Sequence, residues 1–196
     1  MPKFSDNERA FIQEKLFTEG ERLFIQHGLK KVTVDDLVDA VGIAKGSFYA
    51  FYKNKEHLYT EISFSIQDKV LANAEVFLKK NKFLKPKELM KKLISWSYEE
   101  IEKYPLLLQH DLELGVYLVR KLPKEILDRY PDLDMQVVKM LTEHGIKFKC
   151  ETEIVGGVFQ ALSVVYNSLM NKNESSSRAV MDILINGIVN EIVEER

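Results

Sequence analysis

TVDDLVDAVGIAKGSFYAFYKNKEHL, residues 33–58, is the stretch that decides the fold. Thr33 can cap a helix whose first turn holds Asp35 and Asp36, where the helix dipole favours negative charge. Leu37, Ala40 and Val41 give that helix one buried face, and Gly42 ends it. A second short helix is expected over about 44–51, and Asn54 can cap a third with Lys55 and Glu56 in its first turn. Two short helices about a glycine turn, with Ile43 plugging the space between them, have the spacing of a helix-turn-helix, whose second helix enters the major groove. That second helix opens small and polar (Ala44, Lys45, Gly46, Ser47) and becomes aromatic at Phe48, Tyr49, Phe51 and Tyr52. A glycine early in a helix costs roughly 0.8–1 kcal/mol relative to alanine, a cost that close approach to a DNA backbone would explain. Ser47 and the Tyr49 hydroxyl can donate to phosphate, and Lys45 to phosphate or to guanine O6/N7. Lys55 opens the next helix, so its charge and the free N–H groups there could together hold a phosphate.

Outward from this stretch the chain reads as all-α, with about nine helices. Ile12, Leu16, Gly20 and Leu23 form one stripe of a first helix over about 7–27, which Gly28 stops. The helix that Asn54 caps runs to about Asn81, carried by Leu58, Ile62, Ile66, Val70, Ala74 and Phe77. Pro86, Pro105 and Pro123 each precede an apolar periodic stretch, giving helices over about 86–103, 105–121 and 123–145, the last open to interruption at Pro131. Two further helices, about 152–171 and 176–194, flank a loop at Asn171–Ser177. The expected organisation is a three-helix head, residues 1–53, and a helical body, residues 54–196.

Composition narrows the function. A chain of 196 residues that is 45 % hydrophobic and 30 % charged buries an ordinary core without metal or disulfide. Cys150 is the sole cysteine, which excludes an intrachain disulfide and suits a reducing cytoplasm. Glu14, Lys15 and Glu19 interrupt any apolar leader near the N-terminus, and no apolar run is long enough to span a membrane. His27, His57, His110 and His144 lack metal-ligand spacing, and no serine lies in a G-x-S-x-G context. His110, Asp111 and Glu113 resemble part of a catalytic set but lack a nucleophile, so no metal, no cofactor and no enzyme activity are expected. Net charge is −2, and residues 1–55 carry nine basic against eight acidic side chains. Sequence-independent affinity for DNA should therefore be modest, and local placement must supply what net charge does not.

The helix-turn-helix stretch resembles the tetracycline-repressor (TetR) family. The residues that carry the likeness are Thr33-Val34, Leu37-Val38, Ala40-Val41-Gly42-Ile43, Lys45-Gly46-Ser47-Phe48-Tyr49, Tyr52, Lys55-Glu56 and Leu58. Ala44 stands where the family often has a capping serine, Tyr52 where phenylalanine is usual, and Val41 where alanine is usual. The resemblance implies DNA contacts from Thr33, Lys45, Gly46, Ser47, Tyr49 and Lys55 to double-stranded DNA carrying an inverted-repeat operator. It also implies a repressor released by a small-molecule effector.

The final helix is apolar on more than one face: Val180, Ile183, Leu184, Ile188 and Ile192, but also Ile185, Val189 and Val193. The surplus suggests a partner surface, and the resemblance implies a four-helix homodimer interface. Val158, Leu162, Val165, Leu169, Leu184, Ile188 and Ile192 are its candidates. Phe77, Trp96, Tyr117, Phe159 and Tyr166 are candidates for a pocket that takes a small apolar or aromatic effector. The rival reading is an all-α small-molecule-binding protein or enzyme without DNA binding.

Overall fold

The computed structural model describes residues 4–109, 111–129, 133–172 and 176–195. His110, Pro131 and the middle of the Asn171–Ser177 loop fall outside the described residues. Among the described residues the chain is all-α, with eleven helices: α1 (Asp6–His27), α2 (Val34–Val41), α3 (Lys45–Phe48), α4 (Lys55–Lys80), α5 (Pro86–Ile101), α6 (Pro105–Leu108), α7 (Leu112–Lys121), α8 (Lys124–Leu127), α9 (Leu133–Glu143), α10 (Thr152–Lys172) and α11 (Ser177–Ile192).

Most boundaries follow from local chemistry. Ser5 and Glu8 form a capping box at the start of α1, and Thr33 and Asp36 form a second one at the start of α2. Gly42 ends α2 in the left-handed region at φ 78°, a conformation that a side chain would strain. The Asn54 side chain accepts the His57 amide at 2.8 Å and so caps α4. The expected helix over 105–121 is two helices. Asp111 accepts the Leu114 amide at 2.7 Å and starts α7 anew after the four-residue α6. Pro86 and Pro105 are first helical residues, whereas Pro123 is the N-cap of α8.

The chain divides into two compact units. The first holds the residues up to Gln67 together with Tyr104–Arg129; the second holds Asp68–Lys103 and the residues from 130 onward. The division therefore does not fall at residue 53. The start of α4 belongs with α1–α3, because Leu58, Tyr59 and Ile62 are buried and Tyr59 meets Phe24 of α1 edge to face at 5.3 Å. The α6 segment joins the same unit, where Gln109 donates to the Ile25 carbonyl at 3.0 Å.

The crossing of α1 and α4 turns on Gly20. A Cβ at this buried position would sit 3.1 Å from both Ile62 Cδ1 and Leu58 Cδ2. In the second unit, Leu78, Met90, Leu141, Val155 and Val189 lie at the centre of an apolar core drawn from α4, α5, α9, α10 and α11. Gly156 lets α10 approach α9 closely, with Met135 Sδ 3.3 Å from where its Cβ would be.

Gly20→Leu is expected to destabilise the protein by about 1–3 kcal/mol through overpacking at this crossing, read as a lower urea midpoint at unchanged slope. A midpoint equal to wild type would mean that α1 and α4 do not cross closely there.

Candidate nucleic-acid interface

The helix-turn-helix places its polar residues unequally. α3 is only four residues long, and Phe48 anchors it with no solvent exposure. Lys45 and Tyr49, one turn apart, both stand exposed; Tyr49 is 51 % exposed and leans edge to face on Phe48 at 5.5 Å. Gly46 lies between them, and a Cβ built there meets nothing within 4 Å. Lys45 Nζ pairs with Asp35 in the first turn of α2 at 2.8 Å, which raises the lysine's pKa. Thr33 caps that same turn of α2 and is itself exposed. Thr33, Lys45, Gly46 and Tyr49 thus sit on solvent-facing positions around the turn.

Two candidates are placed differently. Ser47 is buried, unlike the exposed Lys45 two residues before it, so its hydroxyl does not face solvent. Lys55 spends its ammonium on the chain itself, donating to the carbonyls of Leu29, Lys30 and Val32. Ala44 makes no side-chain cap for α3, as the missing serine at this position requires.

Several supporting residues carried no local signal in the sequence. The Arg9 guanidinium stacks over Phe51 at 5.0 Å, bracing the end of the recognition segment from α1. Behind the turn, His57 Nδ1 accepts the Lys53 amide at 3.2 Å, so Nε2 carries the proton toward Glu61 at 3.3 Å. Arg129 also approaches Glu61, at 3.9 Å, and Tyr52 packs edge-on to the His57 ring at 5.3 Å. Burial pulls the His57 imidazole below its ordinary pKa, against the opposing pull of Glu61. Burial pushes the Tyr52 phenol up to about 12, so it stays neutral.

The five aromatic pocket candidates divide between the two units. Tyr117 lies in the first unit, where its hydroxyl donates to the buried Glu56 carboxylate at 2.6 Å. The other four lie in the second unit. There Phe77 stacks on Trp96 at 5.0 Å, Tyr166 stacks on Tyr98 at 4.0 Å and donates to Glu102 at 2.9 Å, and Phe159 is in the core. Of the dimer candidates, Leu162 and Ile192 are core residues of the single chain, and Val158, Val165, Leu169, Leu184 and Ile188 pack partly buried against that core. The helical register explains this: Val155, Phe159, Leu162 and Tyr166 form the inward row of α10. The exposed row is Ile154, Gly157, Ala161, Val164 and Ser168, and on α11 it is Val180, Ile183 and Gly187.

A glycine-turned pair of short helices packed on a long first helix is the helix-turn-helix arrangement. Residues 16–62 match the family described as bacterial regulatory proteins, tetR family. The chain is 31 % identical over 62 residues to a probable acrEF/envCD operon repressor of Escherichia coli K12, covering 32 % of this chain and 28 % of the relative. It is 30 % identical over 96 residues to the HTH-type transcriptional repressor KstR2 of Mycolicibacterium smegmatis, covering 49 % and 46 %. The matched regions thus span less than half the length of these curated relatives. Over 93 % of this chain and 98 % of the other, the fold matches the crystal structure of a TetR-family transcriptional regulator from Agrobacterium tumefaciens, with a TM-score of 0.60 at 15 % identity. Residues 16–62 thus match the family's segment, and the whole chain shares the fold of that structure.

The neutral His57 gives a pH dependence with a definite sign. Its folded pKa lies below the unfolded one, so the unfolded chain binds more protons once pH falls below about 6.5, and stability falls with it. His57→Gln is expected to lose less stability than wild type between about pH 7.5 and 5.5 in urea unfolding. Equal losses would show that His57 is not held neutral.

Proposed function

We propose that the protein is a cytoplasmic, homodimeric transcription regulator that binds an inverted-repeat operator and is released from it by a small apolar or aromatic molecule. The observation that carries the DNA-binding reading is the outer edge of α3. Lys45 and Tyr49 flank a glycine whose surroundings are open, so a DNA backbone can come closer there than any side chain would allow. Lys45 supplies charge and Tyr49 a phenolic donor, the two kinds of group that position a protein on phosphate and reach base edges. Asp35 neutralises Lys45 in the free protein and must give it up to DNA, which favours discrimination over indiscriminate affinity.

The dimer reading rests on the exposed apolar row. Ile183 is 72 % exposed and Ile154 54 %, beside small residues that allow close helix approach. A two-fold dimer through α10 and α11 would present its recognition helices about 34–36 Å apart, matching an inverted repeat read on one side of the duplex. The effector reading rests on family likeness and on the aromatic pairs of the second unit. Trp96, the only tryptophan, reports there on a bound molecule by fluorescence.

Selection of duplex fragments from a random pool by the purified protein is expected to return an inverted repeat; a pool that stays random would overturn the DNA reading. On the selected duplex, Lys45→Ala is expected to flatten the dependence of log affinity on log salt by about 0.9 per site. Gly46→Ala separates stability from function. It is expected to raise stability by about 0.4–1 kcal/mol, since nothing opposes the added methyl, and yet to weaken DNA binding. Stability and affinity rising together would place DNA elsewhere. Ile183→Glu is expected to convert the dimer to monomer in sedimentation, and an unchanged dimer would contradict the α10–α11 interface.

A further inference from the structure

We propose that Lys55 is a positioning residue that fastens the α1–α2 loop, and through it the first turn of α2, rather than a ligand for phosphate. The inference rests on the DNA-binding reading above for its consequence, though not for its geometry. Lys55 Nζ lies 2.7 Å from the Leu29 carbonyl, 3.1 Å from that of Lys30 and 2.5 Å from that of Val32. An ammonium has three donors and no acceptor, so three such bonds use all of it.

The loop it fastens needs a cation. Residues 28–33 link the C-cap of α1 to the N-cap of α2, with Leu29 and Val32 buried. Their amides are partly provided for: Lys31 and Val32 both donate to the Gly28 carbonyl, at 3.2 and 3.3 Å. The carbonyls of Leu29, Lys30 and Val32 converge instead on one point, and Lys55 fills it from the first turn of α4. Burial holds the ammonium below the ordinary lysine pKa, consistent with its withdrawal from solvent. The residue immediately after Val32 is Thr33, which caps α2, and two residues later comes Asp35, which holds Lys45. Lys55 therefore fixes the turn on which the proposed DNA edge stands. Arginine cannot replace it, because a planar fork does not match three carbonyls converging as a tripod.

The two roles differ in what each experiment reads. Acetylation footprinting of wild-type protein without DNA, read by mass spectrometry, is expected to leave Lys55 far less reactive than Lys45 or Lys53. Reactivity equal to theirs in the free protein would overturn the clamp. This arm needs no variant and no DNA binding, so a failure of the DNA reading leaves it intact. For variants shown by melting to be folded, Lys55→Arg and Lys55→Met are both expected to bind the selected duplex roughly tenfold more weakly than wild type. Their salt slopes should stay within about half a unit of the wild-type slope, where loss of a phosphate contact would remove about 0.9. Full affinity in Lys55→Arg, with a flattened slope in Lys55→Met, is the result of a direct phosphate contact and would overturn the proposal. Folded variants that bind as tightly as wild type with unchanged slope would show a purely structural lysine and overturn it equally.

Discussion

The close approach of α1 to α4 at Gly20 is the constraint on which the first unit depends. Leu58 and Ile62 come so close to α1 at residue 20 that a Cβ there would force each to give way by a few tenths of an ångström, and Tyr59 meets Phe24 across the same crossing. The start of α4 is thereby set against α1, and with it Asn54, Lys55 and His57. Each of these holds a neighbouring piece of backbone: Asn54 the helix start, Lys55 the α1–α2 loop, His57 the amide of Lys53. α2 and α3 are too short to hold themselves, since isolated helices of four or eight residues are not stable in water. Their placement is tertiary, through Leu37 and Phe48, neither of which has measurable exposure.

To bind DNA as proposed, a protein of net charge −2 must concentrate its positive groups rather than accumulate them. The head does this with few residues. Lys45 is exposed but paired with Asp35, so its charge is held in reserve by a partner that phosphate can displace. An exposed pair of this kind is worth little and so opposes DNA only weakly.

Much of this was legible in the sequence, and for identifiable reasons. The N-caps Thr33 and Asn54, the stop at Gly42 and the amphipathic stripe of α1 are local signals, and each stands where its chemistry places it. The two-sided apolar pattern of α11 was also readable, and the structure shows its inward row as Met181, Ile185, Val189 and Ile192. What was not legible depended on partners distant in sequence. Lys55 looked free because its three carbonyls lie 23–26 residues away. Ser47 looked available because the orientation of a four-residue helix is decided by Phe48 and not by periodicity. Residue type alone does not place the aromatic candidates: Tyr117 belongs to a segment, Tyr104–Arg129, that packs with the first unit although it follows α5 in the chain. In α10 the exposed row is offset from the expected one, a distinction that apolar spacing alone does not make when both rows are apolar.

The central claim is that the outer edge of α3, at Lys45, Gly46 and Tyr49, enters a major groove. Methylation interference at guanine N7 on a duplex bound by the protein tests it most directly, because N7 lies on the floor of that groove. Two interfering patches related by a two-fold axis and about one helical turn apart are expected, each relaxed when Lys45 is replaced. Binding that is indifferent to N7 methylation, or interference confined to the minor groove, would contradict it.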